Sequence, residues 1–98
     1  MREKKRFLTV RVEFAEKLDF RTGRALVSQA VLETLGELGA AEAGFSFKFF
    51  DEGKQEAVVK CSAKGLDRVI AALALKRFFE GRDVALRVVE TSASFHKN

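Results

Sequence analysis

The chain has 98 residues, with 18 Lys plus Arg against 14 Asp plus Glu for a net charge of +4, 47% hydrophobic content and one cysteine. This length fits one compact domain over residues 1–98 that buries roughly two-thirds of the surface its unfolded chain exposes, with no room for a second. The longest apolar run, Val69 to Leu75, is far short of the roughly 20 residues of a membrane span; no apolar signal core follows the charged start, and a lone Cys61 closes no internal disulfide. A soluble, cytoplasmic protein is expected, with no membrane partner. Ten phenylalanines and no proline, tryptophan or tyrosine place nearly all aromatic burial on a side chain without a polar handle.

Residues 1–6 form a basic arm, with Arg2, Lys4, Lys5 and Arg6 against Glu3. Without it the remainder has 14 Lys plus Arg against 13 Asp plus Glu, so the body is nearly neutral. A fixed cationic arm suits contact with a phosphate backbone, because it displaces condensed counterions without needing a pocket. The arm runs into strand one, residues 6–14. There Leu8, Val10, Val12 and Phe14 alternate with Phe7, Thr9, Arg11 and Glu13. From Thr22 the spacing of Val27, Val31, Thr34, Leu35 and Leu38 predicts a helix that stops near Gly39. Residues 45–50 read as strand two, Asp51 to Lys54 as a hairpin turn, and residues 56–61 as strand three. Ser62 is placed to cap a second helix over residues 63–79, with Leu66, Val69, Ile70 and Leu73 as its apolar stripe and Lys64, Asp67, Arg68 and Lys76 in water. Gly81 ends it, residues 84–89 supply strand four, and residues 91–98 form a polar tail.

The order βαββαβ predicts an α+β fold, a ferredoxin-like or RNA-recognition-motif-like two-layer sandwich. Two helices would lie on one face of a four-stranded antiparallel sheet. On the open face the alternation places Phe7, Thr9, Arg11, Ser46, Lys48, Phe50, Val58, Lys60, Arg87 and Val89. Arg11, Lys48, Lys60 and Arg87 are suited to gripping a phosphate backbone, or to ringing a protein interface centred on Phe50 and Val58. A plain solvated sheet face carries such charges too. Strand three lacks the aromatic residues an RNA-recognition motif uses for base stacking.

No catalytic constellation stands out. Cys61 and His96 are the only thiol and imidazole and have no third residue to orient them, so Cys61 reads as a small buried hydrophobe. One Cys and one His make no zinc site. Glu13, Glu16, Asp19, Asp51 and Glu52 sit where turns and strand ends carry charge. Gly36, Gly39 and Gly44 follow a helix rather than a strand and match no phosphate loop. The residues alone describe a binding protein: a nucleic-acid binder, a small-ligand regulatory domain of the ferredoxin-like type, or a protein–protein adaptor.

Several blocks in this order and spacing resemble one family, protein component 2 of archaeal ribonuclease P, shared with a eukaryotic ribonuclease P/MRP subunit. They are Arg2 to Phe7, Thr34 to Ala41, Val59-Lys60-Cys61, Ala71 to Leu75 and Val84 to Val88. The tail from Thr91 to Lys97 resembles the family's Ser-Gly-Thr-Ile-Lys-Lys segment, with Ala93, Ser94 and His96 as departures. The resemblance implies an RNA-binding subunit of the ribonuclease P holoenzyme, in which the RNA, with its bound Mg2+, removes the 5′ leader of precursor tRNA. The protein then has no catalytic site or cofactor of its own. Implied partners are ribonuclease P RNA, precursor tRNA, protein component 3 and a second copy within a two-by-two assembly. Implied RNA contacts are Arg2, Lys4, Lys5 and Arg6, with His96 and Lys97 in the tail; Arg11, Lys48, Lys60 and Arg87 come from the open-face reading alone.

Overall fold

The computed structural model describes residues 4–94. Its elements are β1 (Lys5–Phe14), α1 (Phe20–Glu42), β2 (Ser46–Asp51), β3 (Glu56–Ser62), α2 (Leu66–Ala74), β4 (Phe78–Phe79) and β5 (Arg82–Ser92). The strands form one antiparallel sheet in the order β2-β3-β1-β5-β4. The architecture is α+β, with two helices and five strands. Leu8, Val10, Val59 and Leu86 from the sheet, Leu26, Val27 and Val31 from α1, and Val69 and Leu73 from α2 share one core, so both helices cover one face.

The expected four strands become five because the second helix ends early. The helical spacing extends to Phe79, but α2 stops at Ala74 and Phe78 and Phe79 pair with Asp83 and Arg82. Glu80 and Gly81 both have positive φ, 51° and 78°, as a two-residue hairpin turn of the primed type requires. Phe79 then packs edge-to-face on Phe14 at 5.9 Å, and the Arg82 guanidinium lies 4.9 Å from the same Phe14 ring. Lys76, expected in water, is buried; its ammonium reaches Gln29 at 2.8 Å and Glu33 at 2.9 Å. That contact ties the end of α2 to the middle of α1.

α1 also departs from its expected bounds. Asp19 caps it by accepting from the Thr22 amide at 2.8 Å, so helix begins at Phe20 rather than Thr22. Gly36 (φ 72°, ψ 175°) kinks the chain, and helix resumes through Glu42 past the expected stop at Gly39. Thr34 and Leu38, expected on the buried stripe, are exposed.

The largest correction concerns β2. Phe47 pairs with Val59, but Phe49 pairs with Val58 and Phe50 with Ala57, so one extra residue bulges between Phe47 and Phe49. Such a bulge reverses the alternation beyond it. Phe50 is therefore inside the core at 1% exposure and not on the open face, where simple alternation places it at the centre of a protein interface. Phe20 covers the outer edge of β2 with edge-to-face contacts to Phe47 and Phe49 at 5.8 and 5.9 Å, and Arg24 lies over Phe47.

Candidate nucleic-acid interface

Alternation along β1 sends Phe7, Thr9, Arg11 and Glu13 away from the helices, and the strand registers align them in rows across the sheet. One row is Ser46, Lys60, Phe7 and Ser92; the next is Phe49, Val58, Thr9 and Glu90; a third is Asp51, Glu56, Arg11 and Arg87. Lys48 sits in the bulge beside the second row, and Lys5 precedes the first, opposite Ser62.

The four open-face cations fall into two classes. Arg11 Nη2 lies 3.1 Å from Glu56 Oε2, and Arg87 Nε lies 3.0 Å from Glu13 Oε1, both across neighbouring strands. Lys48 and Lys60 have no described carboxylate within ion-pair distance, and neither does Lys5. One end of the face is internally neutralised and the other is cationic. The open-face set read from the sequence omits Glu13 and Glu56, although the alternation of strand one puts Glu13 beside Arg11 and a count of two from Val58 reaches Glu56.

The arm does not act as one block. Arg2, and with it the tail residues His96 and Lys97, lies outside the described residues. Lys4 and Lys5 are exposed, and the Lys4 carbonyl accepts from the Ala63 amide at 2.7 Å, which fixes the strand start against the turn before α2. Arg6 pairs with Cys61 on the helix side of the sheet, so it points away from Lys5. Val58 remains half-buried at the middle of the open face.

Each carboxylate considered for chemistry has a structural task. Glu13 holds Arg87, and Glu16 bonds Arg82 at 3.0 Å, whose guanidinium lowers the Glu16 pKa. Asp19 caps α1, and Asp51 accepts from the Lys54 amide at 3.1 Å within the hairpin turn. Glu52 accepts from the Phe20 amide at 2.6 Å, so that turn also supports the start of α1. Cys61 is fully buried, and burial pushes its thiol pKa up even with Lys60 and Arg6 nearby. Among the described residues, no three His, Cys, Asp or Glu side chains are grouped to hold a metal ion, and no helix is long and apolar enough to cross a membrane.

The chain matches the Rpp14/Pop5 family profile over residues 6–98. It belongs to the Rpp14/Pop5 family. Among relatives, ribonuclease P protein component 2 of Pyrococcus furiosus is 28% identical over 97 residues, spanning 99% of this chain and 81% of its own length. The protein of the same name from Archaeoglobus fulgidus is 32% identical over 75 residues, spanning 76% of this chain and 66% of its own. A chain in the cryo-EM structure of yeast ribonuclease MRP superposes with a TM-score of 0.73 at 13% identity, covering 96% of this chain and 77% of that one. That likeness shows a shared fold.

Proposed function

We propose that this Rpp14/Pop5 protein is a non-catalytic, RNA-binding subunit of ribonuclease P that assists a catalytic RNA in removing the 5′ leader of precursor tRNA. The carrying observation is the match along nearly the whole chain to relatives named ribonuclease P protein component 2. The open face adds physical support, because Lys48 and Lys60 have no described carboxylate within ion-pair distance. In this reading the protein binds no cofactor, and the Mg2+ that activates water belongs to the RNA. Its partners are ribonuclease P RNA, precursor tRNA in the holoenzyme, protein component 3 and a second copy of itself, in the cytoplasm. The fold is then a ferredoxin-like sandwich to which the β4 hairpin has been added. The adaptor alternative centred on Phe50 and Val58 is weakened, because Phe50 is in the core.

The test is reconstitution. Ribonuclease P RNA, component 3 and precursor tRNA are combined with and without this protein, and release of the 5′ leader is followed. Leader release should rise when the protein is present, and an unchanged rate would overturn the reading. Neutralising Arg2, Lys4, Lys5 and Arg6 should reduce the salt dependence of RNA binding by roughly 0.7 to 0.9 log units per lost phosphate contact.

A further inference from the structure

Resting on the RNA-subunit reading, we infer that the RNA strand crosses only one end of the open sheet face, over Lys5, Lys60 and Lys48, and that Arg11 and Arg87 do not contact it. Ion pairing divides the face. Arg11 and Arg87 are held by Glu56 and Glu13, and their row also contains Asp51, so a phosphate arriving there meets carboxylates and must displace formed pairs. Two rows away Lys60 stands between Ser46 and Phe7, with Lys5 before it and Lys48 in the bulge at the sheet edge. These three lysines have no described carboxylate partner, so a phosphate backbone gains full attraction without breaking anything.

The surface between the lysines fits single-stranded RNA. Phe7 and Val58 are half-buried and supply apolar area at its centre, where an unstacked base or ribose can lie while phosphates reach the lysines. The bulge contributes directly. By adding a residue to β2 it turns Phe50 inward and leaves exposed Lys48 at the rim.

The experiment compares two variants of the full chain, each checked for a native circular-dichroism melt. Lys48→Ala with Lys60→Ala removes two of the three cations that have no described carboxylate partner. Arg11→Gln, Glu56→Gln, Arg87→Gln and Glu13→Gln together remove both ion pairs at constant net charge. Binding to a fluorescein-labelled oligouridine of about a dozen nucleotides is measured by anisotropy between about 50 and 200 mM KCl. The lysine variant should lose about 1.4 from the log–log salt slope, two contacts at roughly 0.7 each, which makes its affinity loss over that range roughly sevenfold smaller than wild type. The four-residue variant should keep the wild-type slope. A wild-type slope in the lysine variant, or a reduced slope in the ion-pair variant, overturns the inference. So does a lysine variant that binds RNA normally but loses component 3, because the surface would then belong to a protein. Where wild type still stimulates leader release, these failures leave the subunit reading standing; a wild type that neither binds nor stimulates fails both.

Discussion

The ring of Phe50 lies directly on Gly23: a Cβ built at Gly23 would stand 2.7 Å from three of its carbons. That glycine lets α1 approach the sheet closely enough to seal Phe50 into the core. Gly23→Ala should destabilise the protein by about 1–3 kcal/mol through overpacking, although alanine is the better helix former. In urea unfolding, Phe50→Leu should recover part of that loss, and a double-mutant cycle should give a coupling of at least about 0.5 kcal/mol. Strict additivity would show that the two residues do not meet.

Lys76 illustrates a charge held for packing. Its side chain is 6% exposed while that of its partner Glu33 is 53% exposed, so water can replace much of the carboxylate but little else. Glu33→Gln should cost about 1–2 kcal/mol, below the penalty for breaking a fully buried pair. Lys76→Met keeps the aliphatic packing without the charge, and should unfold within about 1 kcal/mol of wild type. A larger loss for Lys76→Met than for Glu33→Gln would reverse this account.

Much of this was legible in the sequence because it repeats locally. Leu8, Val10 and Val12 declare a strand with one buried face, and Leu66, Val69, Ile70 and Leu73 declare a helix face, whatever lies around them. The exceptions depend on partners distant in the chain. Phe50 counts to the wrong face until the pairing with Ala57 reveals the extra residue at Lys48. Phe79 continues the helical spacing, and only its packing on Phe14 draws it into a strand. The candidate interface was divided for the same reason. Arg11 and Lys60 are equivalent as letters, yet Glu56 lies beside one and no described carboxylate beside the other.

Gln55 closes the β2–β3 turn onto the connection between β1 and α1. Its amide oxygen accepts from the Leu18 amide and its amide nitrogen donates to the Leu18 carbonyl, both at 2.9 Å. Its backbone is left-handed, with φ at 54°. Gln55→Ala keeps that strain and loses these two bonds together with a third, from its amide nitrogen to the Glu52 carbonyl at 2.8 Å, and should cost about 2 kcal/mol; Gln55→Gly relieves roughly 1 kcal/mol of strain and should fall between alanine and wild type. Chemical denaturation of the three proteins checks the order. An alanine variant as stable as wild type would mean that the clamp contributes nothing.

The cap at Asp19 makes a prediction about acid. Its pKa is lowered from 3.8, chiefly by the Thr22 amide that bonds it and then by the Thr22 hydroxyl, with Arg21 adding a smaller attraction. A depressed native value means that folding favours the ionised form. The stabilisation is therefore complete above the unfolded value near 3.8 and is lost as pH falls through the lower native value. Asp19→Asn retains an acceptor for the helix start but has no charge to titrate. Melting temperatures of the two proteins from about pH 6 to pH 2 should show wild type ahead at the upper end and the gap narrowing toward acid. A gap of constant size would show that the carboxylate charge makes no contribution and that Asp19 acts only as an acceptor.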